Sequence, residues 1–262
     1  MFRIGAIGAG HMGMAVLDAM ATAGSSILVY DVDFGRMKAA KERGFAIAGS
    51  ESEVYVNAEI LLLAVRPQSC EELLEKLSKH RGNTSAPIVV SVMAGISSKY
   101  IRQHLGRGTA VISVMPTIGM RSGHGAAAIA HTQNVPEDVL SYIVKVFAET
   151  GDAVIVSEPQ LMEIVAVNGC MPGYVLYLLD AFARGAKGVD YPTAVRMAAR
   201  GFMGAAAQVL EGGVPKELLA QVCTPGGLTA QGVESFEGND VAKLLAEGMA
   251  ESVRRGYDLS KN

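Results

Sequence analysis

Apolar positions along this chain fall into two regimes. In the first half they form short continuous runs at residues 2–8, 27–30, 59–65, 88–94 and 110–115. Between those runs, notably at residues 12–23, 67–80 and 97–105, the pattern turns helical, with Met14, Leu17 and Met20 three residues apart. A continuous apolar run of this length suits a strand buried on both faces, and the intervening period suits a helix with one buried face. The alternation predicts a parallel sheet covered by helices on both sides. Residues 125–130, 136–150 and 153–156 follow before the pattern changes.

From Glu158 onward no convincing strand run remains. Helices are predicted over residues 159–187, 192–211, 215–223, 229–237 and 240–257. Pro192 and Pro215 sit where a first helical turn tolerates proline, whereas Pro172 is expected to kink the long first helix. The boundary falls near Ser157, giving an α/β domain over residues 1–157 and an all-helical domain over 158–262. The helical half is rich in Ala, Leu and Met but too short for a large core of its own. It is expected to bury its surplus apolar face against a second copy of the chain, as a dimer or larger.

Composition narrows the function classes. With 50% apolar and 19% charged residues the chain is the opposite of a disordered one. Twenty-three basic against 26 acidic residues give no bulk reason to expect a nucleic-acid partner. The strongly apolar run 60–65 is closed by Arg66 and Pro67, and no uninterrupted run nears the ~18 residues of a membrane span. Glycines punctuate the stretch after Arg3, against a secretory signal. A soluble, cytoplasmic protein without a membrane partner is expected. Cys70, Cys170 and Cys223 are odd in number and form no CxxC pair, which fits a reducing compartment. His11, His80, His104, His124 and His131 lack ligand spacing, so no metal site is expected.

The 30 glycines exceed the ~7% of an average chain, and four of them cluster at the start. Gly8-Ala9-Gly10-His11-Met12-Gly13 reads G-x-G-x-x-G, with a predicted strand before it and a helix after it. Asp31 closes the second strand eighteen residues beyond Gly13, near the ~20 expected for a ribose-binding acid. In that reading Gly8 makes the tight turn, Gly10 admits a pyrophosphate, Gly13 allows close helix packing, and His11 and Met12 open the helix whose amino terminus faces the phosphates. The alternative is a tight turn without a ligand. A carboxylate at Asp31 would repel a 2′-phosphate by roughly 1 to 4 kcal/mol per unit charge, so NADH is favoured over NADPH, with Arg36 and Lys38 able to offset part of it.

A second cluster, Cys223-Thr224-Pro225-Gly226-Gly227-Leu228-Thr229, is a proline-glycine turn opening onto a helix. Free N–H groups flanked by hydroxyls suit a carboxylate; the alternative is an interhelical loop capped by Thr229.

The glycine motif, Ala64-Val65-Arg66-Pro67-Gln68, Ser91-Val92-Met93-Ala94-Gly95-Ile96, Val114-Met115-Pro116 and above all Val222 to Thr229 together resemble the pyrroline-5-carboxylate reductase family. The motifs run from the first strand to the penultimate helix, in family order. The resemblance implies an amino-terminal Rossmann-type dinucleotide-binding domain, a carboxy-terminal helical dimerisation domain, and reduction of a five-membered cyclic imine carboxylate to proline with NADH or NADPH. It implies further that Val65, Arg66, Pro67 and Ala94 line the cofactor cleft. Thr224, Gly226, Gly227 and Thr229 would hold the substrate, with Thr229 the catalytic contact at the imine nitrogen. Two segments depart from the family: Thr117-Ile118-Gly119 stands for its Asn-Thr-Pro, and Cys170-Met171-Pro172-Gly173 for its Ser-Gly-Pro-Ala. A reductase of a related cyclic imine, a hydroxyacid dehydrogenase of the same plan, and a non-catalytic nucleotide-binding relative are the alternatives. Residues 159–187 hold no histidine, and no lysine before the last position, which argues against alcohol-proton chemistry.

Overall fold

The computed structural model describes residues 3–22, 24–80 and 86–260, with the side chains of 259 and 260 excepted. Phe2 and Ala23, at the ends of the first predicted strand and helix, lie outside the described residues. The chain divides into two compact units, Met1–Cys170 with Ser252–Asn262, and Met171–Glu251.

The first unit is built on an eight-stranded sheet: β1 (Arg3–Ile7), β2 (Ser26–Tyr30), β3 (Ala46–Ile47), β4 (Ile60–Leu63), β5 (Ile88–Ser91), β6 (Val111–Pro116), β7 (Gly125–His131) and β8 (Gly151–Ile155). Its order is β3-β2-β1-β4-β5-β6-β7-β8. The all-parallel expectation holds only as far as β6. Strand β7 runs antiparallel to β6, pairing Met115 with Ala128, and β8 then runs parallel to β7. The reason is local: a single 3-10 turn at Ile118–Ser122 joins β6 to β7, and so short a connection can only reverse the chain. Edge strand β3 is only two residues long, inside the short apolar run Phe45-Ala46-Ile47-Ala48 that the sequence reading passes over.

Helices α1 (His11–Thr22), α2 (Phe34–Glu42), α3 (Glu51–Asn57), α4 (Cys70–Ser78), α5 (Ser98–Leu105), α6 (Glu137–Ala148) and α7 (Glu158–Val167) complete this unit, with the end of a carboxy-terminal helix from Ser252 on. Alternate residues of each strand serve opposite faces. Val90, Ile112, Val114 and Ile129 pack with Leu17 and Met20 of α1 and with Ile143 and Phe147 of α6. Leu61, Leu63, Val89 and Val111 pack on the other face with Tyr55 of α3, Leu74 and Leu77 of α4 and Ile101 of α5. Because β4 is buried on both faces, its Ile-Leu-Leu-Leu run reads as continuous rather than alternating.

Residues 159–187, expected as one kinked helix, are two. Helix α7 ends at Val167 and α8 (Met171–Gly185) begins four residues later. Pro172 is the second residue of α8, where its missing N–H costs nothing, so it starts a helix instead of bending one. Taken across that break, Glu158–Gly185 is by length and composition apolar enough to cross a membrane. The expectation of no such stretch rested on uninterrupted apolar runs and missed it. Element type does change at Ser157, but compactness divides the chain after Cys170. Leu161, Ile164 and Val165 of α7 pack against Met115, Ala128 and Ala130 of the sheet, which places α7 in the first unit.

The second unit holds α8, α9 (Tyr191–Leu210), α10 (Pro215–Val222), α11 (Leu228–Gly238) and the start of α12 (Val241–Ser260). Asp190 caps α9 by accepting from the Thr193 N–H at 3.0 Å. Phe182 meets Phe202 and Phe236 edge-on at ring-centre distances of 5.9 and 6.2 Å. Among the described residues of this unit only Ala183 and Ala194 are buried apolar side chains. Such a bundle has little interior of its own.

Candidate cofactor cleft and substrate loop

Strand β1 ends against a turn whose geometry is set by two glycines. Gly8 has φ +101°, and a Cβ there would stand 2.5 Å from the Ala64 carbonyl oxygen. A Cβ on Gly13 would overlap the Gly8 carbonyl oxygen and lie 3.1 Å from the Ala64 side chain. Side chains at either place would push α1 off the sheet. Gly10 is different: the nearest atom to a Cβ there is Arg36 Nη1 at 3.8 Å, so open space stands over its backbone. Beyond it α1 begins at His11, and the amides of its first turn have no intrahelical acceptor. Such a turn has the space and the free amides to cradle a phosphate, and the residues present fit a dinucleotide.

The remaining expected cofactor residues lie along the same edge of the sheet. Asp31 follows β2, Gly8 follows β1, residues 64–67 follow β4, and Ala94 follows β5. These are the carboxyl ends of adjacent parallel strands, and the chain's order reverses between β1 and β4, the place where open α/β sheets bind ligands. Val65 and Pro67 are half-buried, and Arg66 and Ala94 are exposed. Met12 packs against the core, a structural role not expected for it.

Asp31, only 6% exposed, is fully engaged. Its Oδ2 accepts from the Ala9 N–H at 2.7 Å and its Oδ1 from the Asp33 N–H at 2.8 Å, and Arg36 Nη1 stands 3.5 Å from Oδ2. Asp33 caps α2 through the Arg36 N–H at 3.1 Å. Beside the turn lies a cleft of about 310 Å³ walled by Gly10, His11, Asp33, Arg36, Arg43 and Arg121. Arg43 is paired with Asp18 at 3.3 Å, and Lys38 turns to Glu42 at 3.9 Å instead of to Asp31. Sequence reading missed Arg43 and Arg121. They come from the end of α2 and from the turn after β6, far from any motif.

The 223–229 loop belongs to the second unit. Gly226 has φ +71°, and the Gly227 N–H donates to the Thr224 carbonyl at 2.9 Å, closing the turn. Gly227 is the N-cap of α11, with no side chain to cap it, and Thr229 is the second residue of the helix. The reading of Thr229 as a cap is therefore set aside. Thr224, Gly226 and Thr229 are exposed, Gly227 is half-buried, and Leu228 beside them is 96% exposed. The first amides of α11 and two exposed threonines thus fall within one short turn, an arrangement able to take an anion.

Thr117 of the first departing segment and Asn168, two residues before the second, both bond to Ala126 of β7. Thr117, buried, accepts from the Ala126 N–H at 3.0 Å. Asn168, buried just before the second segment, donates to the Met115 carbonyl at 2.5 Å and the Ala126 carbonyl at 3.3 Å. Among the described residues no group of His, Cys, Asp and Glu is placed to hold a metal ion.

Comparison with known proteins identifies both halves. The model for pyrroline-5-carboxylate reductase dimerisation matches residues 158–259, and one for NADP oxidoreductase, coenzyme F420-dependent, matches 3–95. The pyrroline-5-carboxylate reductase of Methanosarcina acetivorans is 30% identical over 99% of this chain and 98% of its own length. That of Escherichia coli is 29% identical over 99% of both. The solved pyrroline-5-carboxylate reductase of Coxiella burnetii superposes with a TM-score of 0.88 at 24% identity, covering 100% of this chain and 99% of that one. The Plasmodium falciparum pyrroline carboxylate reductase, solved with NADP bound, gives 0.87 at 20% identity over 99% and 98%. With similarity of that extent along its whole length, the chain belongs to the pyrroline-5-carboxylate reductase family.

Proposed function

We propose that this protein reduces 1-pyrroline-5-carboxylate, the compound its relatives' names give, to proline with a nicotinamide cofactor, working in the reducing cytoplasm that its three free cysteines fit. The observation that carries the reading is the glycine turn at the strand-order reversal, in a chain similar to these reductases from end to end.

Each residue has a physical task in this reading. Gly8, Gly10 and Gly13 leave the space in which the α1 amides, with His11, take the pyrophosphate. Asp31 and Asp33 face the adenosine ribose, and Val65, Arg66, Pro67 and Ala94 flank the rest of the cofactor. The bound nicotinamide supplies the hydride for the carbon of the C=N bond. On the substrate side, Gly226, Gly227 and Thr224 hold the carboxylate through amides and hydroxyl, and Thr229 hydrogen-bonds the imine nitrogen. A cyclic iminium needs orientation and an anion clamp more than a strong side-chain acid. Two carboxylates at the ribose end favour NADH over NADPH, with Arg36 neutralising part of the field. The helical half assembles as a dimer or larger.

Mixing the protein with NADH and pyrroline-5-carboxylate and following nicotinamide absorbance tests the reading. Steady oxidation dependent on the imine and yielding proline is expected. Cofactor binding without turnover would leave a nucleotide-binding relative, and turnover of a 2-hydroxyacid with NAD⁺ instead would overturn the imine reading.

A further inference from the structure

A second cavity, of about 370 Å³, lies on the α5 and α7 face of the sheet and shares no lining residue with the cleft at the glycine turn. It falls between two packed clusters, one around Val89, Val111 and Ile101 and one around Met115, Ala128 and Leu161. The strand positions that would join them carry serines. Ser91 and Ser113 are paired across β5 and β6, and both line the cavity. Ser91 Oγ accepts from the Met93 N–H at 3.3 Å. Ser113 is 5% exposed, and its hydroxyl has no hydrogen-bond partner. A buried hydroxyl left unpaired by the protein is costly, and a polar group entering the cavity would relieve that cost.

Glu158 stands at the same cavity. Its carboxylate is held by Ser98, which donates from its backbone N–H at 2.5 Å and its hydroxyl at 2.6 Å. Among the described residues no lysine, arginine or histidine pairs with it. Met93, Met115 and Met162 supply polarisable apolar walls that adapt to a flexible stem.

We propose that this cavity binds a small alkyl cation of the guanidinium type. Its charged head pairs with Glu158 and meets the Ser113 hydroxyl, and its apolar stem lies along the three methionines. An anion is repelled by Glu158, and a neutral alkane leaves Ser113 unpaired. A planar guanidinium satisfies both polar groups, since it presents several donors in a fixed fork. The volume is within the ~300–1,000 Å³ of small-ligand pockets.

The test uses the full chain, millimolar n-butylguanidinium chloride, and calorimetry with thermal melting; n-butanol, n-butyrate and sodium chloride serve as controls. Saturable binding and a raised Tm are expected for butylguanidinium alone. Glu158→Gln should weaken binding at least tenfold, in line with a lost charge-assisted hydrogen bond. Ser113→Ala should weaken it severalfold, and Ser113→Met, which replaces the hydroxyl with a longer apolar side chain, should weaken it further. Absence of saturable binding to the wild type overturns the proposal, as does equal binding of butanol. Wild-type affinity in both Glu158→Gln and Ser113→Met does the same. Should Glu158→Gln fail to fold, the two Ser113 variants decide.

Discussion

The Asp31 carboxylate and the backbone of Ala9 are joined by a hydrogen bond of 2.7 Å, which ties the acid that ends β2 to the glycine turn that ends β1. With its other oxygen on the Asp33 N–H, Asp31 is a brace for the turn as well as a charge beside it. Asp31→Ser is therefore expected to weaken NADH and NADPH together, because a buried donor loses its acceptor at a cost of roughly 1–3 kcal/mol. Asp33→Ser keeps an oxygen for the α2 cap and removes only the exposed charge. It should shift the ratio of affinities toward NADPH, measured by fluorescence titration of each cofactor. An unchanged ratio would remove Asp33 from the ribose end.

Gly10 and Gly13 should respond oppositely to the same change. Gly13→Ala forces a methyl into the Gly8 carbonyl oxygen and the Ala64 side chain, and it should cost roughly 1–3 kcal/mol or more in thermal or urea unfolding. Gly10→Ala meets no atom nearer than 3.8 Å and should leave stability near wild type while weakening cofactor binding severalfold. Equal losses of stability in both would contradict the assigned roles.

The sheet, the glycine turn and the 223–229 loop were legible because each depends on short-range chemistry: buried runs, φ > 0 at Gly8 and Gly226, a helix start after a turn. The reversal of β7 was not, since Ala126 to Ala130 reads alike in either direction and only the short 118–122 connection betrays it. Arg43 and Arg121 reach the cleft through tertiary packing that no local pattern encodes. Likewise, Pro172 carries the same letter whether it bends a helix or begins one.

Thr229 gives a separable prediction, because it sits at the second position of α11 and makes no cap. Thr229→Ala should change stability by no more than about 0.5 kcal/mol, as for other exposed sites. Loss of a hydrogen bond to a charged substrate, worth about 1.5–3 kcal/mol, should lower kcat/KM roughly ten- to hundredfold at unchanged NADH affinity. Thr229→Ser should recover most of it. Wild-type kinetics in the alanine variant would remove Thr229 from the reaction.

Leu176 and Tyr177 on α8 are 67% and 75% exposed in the single chain, within the segment matched by the dimerisation model. Sedimentation at micromolar concentration should find a dimer or larger species. Leu176→Glu combined with Tyr177→Lys should shift it toward monomer and lower its Tm, since the second unit buries so little by itself. A wild-type monomer would contradict this.

Cys70 should be the inert thiol of the three. Burial, with the neighbouring charge of Glu71, pushes its pKa up to about 11, so it stays protonated at pH 8. Iodoacetamide at that pH should label the partly exposed Cys170 and Cys223 in the native protein, and Cys70 only after denaturation, read by peptide mass. The sign for stability follows. Between pH 9 and 11 the unfolded thiol ionises and the folded one does not, so Cys70 makes stability fall as pH rises through that window.

The antiparallel pairing of β6 with β7 settles where the chain leaves its first unit. Had β7 and β8 run with the other strands, α7 would have set out from the carboxyl edge of the sheet and delivered its end to the amino edge. Because they run the opposite way, β8 finishes at the far side and α7 returns along β6. Its trailing Asn168 then reaches the Met115 carbonyl near the end of that strand. One reversal thus gives the exit of the sheet unit the same polarity as its glycine turn, a property of strand parity that no single side chain could supply.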